Sequence, residues 1–182
     1  LGLGTPVLLG NSDVIHRVAK QEGVDLEFIG IIDPLRAEDL PLFCERLEKL
    51  KRYRDLGASM ASAILAKPNY FAAMMVQYGH ADAIVTGADE EASSTLRPML
   101  QLISPMPHLK SVSSCMALDL SNKRYGERGV MFFADCAVIP EPTVDQLADI
   151  AVETGITCRT LTGMKPRIAM LSFTTHSSAP SV

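Results

Sequence analysis

An alternation of strand, helix and strand in the first 34 residues constrains the fold more than any other feature. "TPVLLG" at residues 5–10 and "EFIGIID" at residues 27–33 are short apolar runs, each ended by turn-forming residues. Val and Ile recur between them at helical spacing, with Ser12 as the predicted N-cap and Gly23 as the stop. Strands separated by a helix are typical of a parallel sheet covered by crossover helices, so we predict an α/β fold.

A long helical region follows this alternation. Residues 38–79 have the patterns of three helices, and "ADAIVTG" at residues 81–87 predicts a further buried strand. A polar loop and another helix follow, and Pro105 and Pro107 then interrupt the chain. We therefore predict a first domain over residues 1–105 and the start of a second domain over residues 108–182.

The predicted second domain has a different order of elements. Residues 110–118 and 129–138 read as two strands joined by a polar turn, which indicates a hairpin. A helix follows, with Thr143 as N-cap and Gln146 three residues later in a capping box. "PRIAMLSF" at residues 166–173 predicts one more strand.

Composition excludes several classes of function. The chain has 182 residues, a hydrophobic content of 47% and a net charge of −4, so its composition gives no indication of the basic surface that binding to nucleic acid requires. It has no run of about 18 apolar residues that would span a membrane. Its four cysteines are widely and irregularly spaced, which argues against a zinc site and predicts a reducing, cytoplasmic compartment. We predict no metal.

The polar segment "TGADEEASSTLRP" at residues 86–98 is the candidate binding loop, because ligands of open parallel sheets bind beyond the carboxyl ends of the strands. Gly87 permits a sharp turn or a close backbone approach to a ligand. The hydroxyls of Ser93, Ser94 and Thr95 are predicted to cap the following helix.

Arg97 is the candidate for anion contact. The sequence places it in the first turn of that helix, where a cation opposes the helix dipole and a bound anion would compensate. Its guanidinium can hold phosphate or carboxylate with two parallel hydrogen bonds. The alternative is an ordinary surface ion pair between Arg97 and an acid at residues 89–91.

Five motifs give the chain a resemblance to a known family. They are "TPVLLGNSDVI", "KPNYFAAMMVQYGHADAIVTGA", "TLRPMLQLI", "VMFFADCAVIPEPTVDQLADIAVETG" and "PRIAMLSF". Their order and spacing resemble those of the phosphate acetyl- and butyryltransferases, or phosphotransacetylases. The resemblance implies a three-layer α/β/α fold with a mostly parallel sheet, similar to the two-domain isocitrate and isopropylmalate dehydrogenases. It also implies that both ends are cut, with the opening helix of the first domain missing and the second domain incomplete.

The resemblance further implies an activity. Family members transfer an acetyl or other short acyl group between acyl phosphate and coenzyme A, with coenzyme A as a substrate and no cofactor. The expected partners are therefore small molecules, with no nucleic acid and no membrane, and the parent protein is expected to be a homodimer. The chain by itself is expected to be inactive.

Site residues carried over from the family fall mainly in the polar loop. Gly87, Ala88, Thr95, Arg97 and Pro98 match the family pattern. The matching segment in the family helps to hold the phosphate and the acyl group.

Two acids in this loop depart from the family pattern. Glu90 and Glu91 stand where the family usually has His and a hydroxyl residue, and Ser93 and Ser94 could replace the missing hydroxyls.

A second arginine position is left open by the resemblance. Arg52 or Arg54 lies near the position of an arginine in the family's active-site cleft, and we take Arg52 as the candidate. Both could equally belong to a solvated basic helix face.

Cys136, beside Asp135 in "FADCAV", could be taken for a nucleophile. Its apolar neighbours favour a buried structural thiol instead.

The family and its related fold allow two other functions. A phosphotransacetylase-like domain fused to a malic enzyme would bind acetyl-coenzyme A as a regulator without turning it over. A nicotinamide-dependent dehydrogenase of the related fold is disfavoured, because the chain has no GxGxxG motif.

Overall fold

The computed structural model of the chain describes residues 4–107, 109 and 111–171. It is an α/β structure with a small parallel sheet. The chain divides into two compact units, Leu1–Ser104 and Pro105–Val182. No helix among the described residues is both long and apolar enough to cross a membrane.

The first unit opens with the predicted strand, helix and strand. β1 (Val7–Leu9) and β2 (Gly30–Ile32) pair in parallel, with Leu8 opposite Ile31, and α1 (Ser12–Glu22) connects them. The N-cap is Asn11, whose side chain accepts from the Val14 N–H at 3.1 Å, so the prediction of Ser12 was wrong by one residue. Gly23 ends the helix in the left-handed conformation, as predicted.

Four helices build the core of the first unit. They are α2 (Leu40–Lys49), α3 (Ala58–Leu65), α4 (Pro68–Gln77) and α5 (Ala92–Leu102), with a 3₁₀ turn at Lys51–Tyr53 between α2 and α3. The largest fully buried side chains lie on these helices: Phe43, Leu47, Leu65, Phe71, Met74 and Pro98. Phe43 and Phe71 join α2 to α4, with ring centroids 5.2 Å apart. Aromatic and Met packing therefore fixes the helices that carry the candidate loop.

The predicted strand over residues 81–87 is absent, and this prediction was wrong. The segment between α4 and α5 pairs with no strand among the described residues, and Val85 is 100% exposed. Ile84 still packs partly against the core. A strand is stable only with a hydrogen-bonded neighbour, and the described sheet of this unit ends at β1 and β2.

The second unit contains the predicted hairpin. β3 (Cys115–Asp119) and β4 (Val130–Ala134) pair antiparallel, with Cys115 opposite Ala134. Gly129 in the connection has φ +89°, and a Cβ there would lie 2.5 Å from the Leu120 carbonyl oxygen, so the turn requires glycine.

A long helix follows the hairpin. α6 (Val144–Thr162) begins with the predicted capping box between Thr143 and Gln146. The strand predicted over residues 166–173 was wrong for residues 166–171, which the structure leaves without secondary structure, and its last two residues lie outside the described part of the chain. Residues 166–171 pair with no strand among the described residues.

Candidate functional site

One face of α5 carries most of the candidate site. The helix begins at Ala92 with Glu91 as N-cap, and Ser93, Arg97 and Gln101 follow at intervals of four residues. Side chains at this spacing lie above one another on a helix. Arg97 is thus in the second turn and not in the first turn, where the sequence placed it. The effect of the helix dipole fades within the first turn, so the dipole gives no reason for an anion at Arg97.

This face of α5 borders a shallow pocket of about 340 Å³. Arg52, on the 3₁₀ turn, also lines the pocket. The full lining comprises Arg52, Ser93, Leu96, Arg97, Leu100 and Gln101. Two guanidinium groups therefore share one concave surface with two leucines, which suits a ligand with an anionic and a short apolar part.

Among the described residues, neither arginine has a carboxylate partner. The ion pairs among the described residues do not include Arg52 or Arg97, and both side chains are exposed. The surface ion pair between Arg97 and residues 89–91 is therefore not formed. Two like charges at one pocket repel each other, and a bound anion would remove that repulsion.

Asn69 holds the loop that precedes α5, and it was not among the predicted site residues. Its side-chain oxygen accepts from the Thr86 hydroxyl at 3.0 Å, and its amide nitrogen donates to Glu90 at 2.5 Å. The same nitrogen donates to the Ser94 carbonyl at 3.4 Å. Because Pro98 has no N–H, that carbonyl lacks its usual helical donor. The available sequence signal was an amide side chain at the start of an otherwise apolar helix.

Glu90 faces Asn69 and Ser94. Its carboxylate accepts from Asn69 and, at 3.3 Å, from the Ser94 hydroxyl. Glu90 does not line the arginine pocket. Its charge is thus held at the loop by neutral donors.

The other predicted site residues lie beside the pocket without lining it. The hydroxyls of Ser94 and Thr95 donate to the carbonyls of Glu91 and Ala92, so neither caps the helix as predicted. Ser93 does not cap it either, and no side chain forms a cap bond at this helix start. Hydroxyls inside a first turn readily bond back to preceding carbonyls instead.

Gly87 has φ +95° and lies next to the first turn of α5, because a Cβ there would be 3.9 Å from Thr95 Cγ2. Ala88 is exposed in the loop. The structure therefore brings together Arg52, Ser93 and Arg97, and leaves Gly87, Ala88, Ser94 and Thr95 outside the pocket lining.

Gln101, which lines the pocket, meets two tyrosines from distant parts of the sequence. The side-chain oxygen of Gln101 accepts from the Tyr53 hydroxyl and, at 3.3 Å, from the Tyr70 hydroxyl. Burial raises the pKa of Tyr53, with the neighbouring Tyr70 acting in the same direction. Tyr53 therefore remains a protonated donor at neutral pH.

Asp135 is the centre of a second polar cluster, in the second unit. Its carboxylate accepts from the Ser114 hydroxyl, from the Ser114 N–H at 3.0 Å and from three N–H groups in residues 137–139. Burial alone raises the pKa of Asp135, but the hydrogen bonds from Ser114 and the backbone outweigh it and hold the pKa well below its usual range. The carboxylate therefore anchors the loop after β4.

Cys136 is exposed, so the prediction of a buried thiol was wrong. The loop turns sharply around Asp135, and this turn places the thiol outside, with Sγ donating to the Phe133 carbonyl at 3.2 Å. Among the described residues, no group of three or more His, Cys, Asp or Glu side chains is arranged to hold a metal ion.

Comparison with known protein families shows to which family the chain is related. The family model for phosphate acetyl/butaryl transferase matches residues 1–182. The chain belongs to this family. The resemblance seen in the motifs is therefore confirmed over the whole length of the sequence.

Curated relatives and solved structures agree with the family. The chain is 41% identical to the phosphate acetyltransferase of Thermoanaerobacterium thermosaccharolyticum, over 98% of this chain and 54% of the relative. It is 40% identical to that of Treponema pallidum, over 94% of this chain and 51% of the relative. The chain therefore spans about half the length of these relatives.

Two solved structures have the same fold over nearly all of this chain. A phosphotransacetylase from Streptococcus pyogenes has a TM-score of 0.81 at 31% identity. The match covers 99% of this chain and 53% of the S. pyogenes chain. The EutD phosphotransacetylase from Staphylococcus aureus has a TM-score of 0.78 at 31% identity, and covers 97% of this chain and 51% of its own.

Proposed function

We propose that the whole protein carrying this chain transfers an acetyl or other short acyl group between acyl phosphate and coenzyme A. The observation that carries the proposal is the pocket that Arg52 and Arg97 line together with Ser93 and two leucines. Neither arginine is paired with a carboxylate in the part of the chain that the structure describes. Membership of the family and relatives named phosphate acetyltransferase support the same activity. Coenzyme A is a substrate in this proposal, and the chemistry needs no further cofactor.

The proposed chemistry is a direct transfer. The thiolate sulfur of coenzyme A attacks the acyl carbon, a C–S bond forms, and the C–O bond to phosphate breaks with its electron pair on the departing phosphate. The protein has to bring two anions together and stabilise the charge that develops on oxygen. Arg97 is the proposed catalytic residue, because its guanidinium offers two parallel donors to a phosphoryl group.

Arg52 and Ser93 are proposed as substrate-binding residues within the same pocket. Gly87, Ala88, Ser94 and Thr95 are proposed to contribute from the adjoining loop. Asn69 fixes part of that loop through Thr86, Glu90 and the Ser94 carbonyl. Loop residues of this kind shape a site through their backbone as well as through their side chains.

The larger architecture is also a proposal. We propose that residues 1–105 form the first domain, and residues 108–182 the start of the second, of a three-layer α/β/α protein similar to isocitrate and isopropylmalate dehydrogenases. The division of the chain after Ser104 supports this proposal. We further propose a homodimer in the cytoplasm with small-molecule substrates. The regulatory domain of a malic enzyme is not favoured, because the curated relatives are named as transferases.

The test is an assay of the whole protein for acetyl-coenzyme A formation from acetyl phosphate and coenzyme A. We expect the wild-type protein to turn over these substrates, and we expect Arg97→Lys and Arg52→Lys each to lower the rate. Arg54→Lys is the matched control, because Arg54 is exposed on the same segment and does not line the pocket. Absence of turnover with acetyl, propionyl and butyryl phosphate would overturn the proposal.

A further inference from the structure

Gln101 has a fixed orientation at the arginine pocket. Its side-chain oxygen accepts two hydrogen bonds, one from Tyr53 on the 3₁₀ turn and one from Tyr70 on α4. These three residues come from three separate elements, and Tyr53 is only 8% exposed. Both phenols donate to the side-chain oxygen of Gln101. Its side-chain NH₂ group has no hydrogen-bond partner among the described residues.

The helix gives that NH₂ group a place in a row of donors. Ser93, Arg97 and Gln101 are four residues apart on α5, and all three line the pocket. Neighbours at this spacing are about 5–6 Å apart, which is within the span of one phosphoryl group and its hydrogen bonds. Arg97 and Gln101 therefore present a guanidinium and an amide to the same ligand, whereas the Ser93 hydroxyl donates to the Glu91 carboxylate at 3.5 Å.

We propose that Gln101 donates its side-chain N–H groups to a phosphoryl oxygen of the ligand bound by Arg52 and Arg97, and that Tyr53 and Tyr70 are positioning residues for it. This inference rests on the proposed function, because it assigns a further contact within the same site. The phosphoryl group can belong to the acyl phosphate or to coenzyme A, since both contain one.

A purely structural role for Gln101 predicts different behaviour. The amide would then only connect the 3₁₀ turn, α4 and α5, and its loss would lower stability without changing the affinity of the folded protein. Gln101→Met keeps the length of the side chain but removes the N–H donors and the oxygen acceptor. Gln101→Glu keeps an acceptor for both phenols but offers no N–H donor to the ligand.

The experiment measures dissociation constants of inorganic phosphate and of coenzyme A for the whole protein by calorimetry, with unfolding temperatures measured in parallel. We expect Gln101→Met and Gln101→Glu each to weaken at least one of the two ligands about tenfold or more. The ligand affected identifies the source of the phosphoryl group. Arg54→Lys, outside the pocket, should leave both constants unchanged.

The double variant Tyr53→Phe/Tyr70→Phe tests the positioning role. It leaves the Gln101 amide in place but removes the two donors that orient it. We expect a smaller loss of affinity than for Gln101→Met, and a higher KM for acyl phosphate with little change in kcat. Affinities equal to wild type in this double variant would overturn the role of the two phenols.

Two results separate this inference from the proposed function. If ligands bind and Gln101→Met weakens them while no acyl phosphate is turned over, the proposed reaction fails and the contact remains. If turnover occurs and folded Gln101→Met has wild-type affinities and a wild-type KM, the contact is wrong. Should Gln101→Met fail to fold, wild-type affinities in Gln101→Glu would overturn the inference equally.

Discussion

The guanidinium of Arg97 and the carboxylate of Asp135 are both charged groups in the candidate regions, yet their surroundings are opposite. Arg97 is exposed at a pocket and has no hydrogen bond or ion pair among the described residues. Asp135 is half-buried and accepts from the Ser114 hydroxyl and from four backbone N–H groups. A charge whose hydrogen bonds are all supplied by its own chain has a structural role, whereas a charge without them is available to a ligand.

The largest expected effect is on Asp135. Asp135→Ala removes the acceptor of several N–H groups and of the Ser114 hydroxyl, so we expect a loss of about 3 kcal/mol in the free energy of unfolding. Urea unfolding of the whole protein measures this, and hydrogen exchange of residues 114–139 localises it. Glu141→Ala is the matched control, because Glu141 is exposed and makes none of these contacts. Equal stability of the two variants would contradict the structural role.

The same carboxyl gives a prediction for acid. Its pKa is lowered in the folded protein, so its contribution to stability is complete above the unfolded pKa of about 3.9 and decreases as the pH falls below that value. We expect the urea concentration at the unfolding midpoint to decrease as the pH is lowered from about 5 to about 2. The decrease should be smaller in Asp135→Asn. The same pH dependence in both proteins would remove Asp135 as its cause.

Arg97→Lys should affect ligand binding more than stability, whereas the change at Asp135 affects stability. Loss of the two-pronged geometry is expected to weaken phosphate binding by about 1.5–3 kcal/mol, or roughly ten- to a hundredfold. Stability should change little, since the side chain is exposed and has no described partner. Titration calorimetry with inorganic phosphate measures the affinity, with Arg54→Lys as control. Unchanged affinity would make Arg97 a surface residue.

The two helix starts offer the smallest contrast. Thr143 accepts from the Gln146 N–H in a complete capping box, so Thr143→Ala should cost about 1 kcal/mol of unfolding free energy. Glu91 is the N-cap of α5 and makes no side-chain cap bond, so Glu91→Ala should cost less than about 0.5 kcal/mol. Chemical unfolding of both variants tests the difference. A larger loss for Glu91→Ala would show that the start of α5 depends on that acid.

Features fixed by neighbouring residues could be predicted from the sequence. The pattern of β1, α1 and β2, the stop at Gly23 and the capping box at Thr143 all depend on spacings within a few residues. The hairpin of β3 and β4 was likewise predictable, because its two strands are consecutive.

Features that depend on distant partners were missed. The apolar run at residues 81–87 has the composition of a strand, but the described residues offer it no neighbouring strand. Gln101 meets Tyr53 and Tyr70 across separations of 48 and 31 residues. Ser114 reaches Asp135 across 21 residues. No local pattern signals such contacts, although the arginine candidates themselves were visible as charges without an obvious role.

Pro98 makes α5 depend on a residue of another helix. Because proline has no N–H, the Ser94 carbonyl lacks its helical donor. It accepts a hydrogen bond at 3.4 Å from the side-chain amide of Asn69 on α4 instead. Positions 69 and 98 should therefore vary together among related sequences. A protein with a residue other than proline at position 98 regains the helical bond, and selection for an amide at position 69 is then correspondingly weaker.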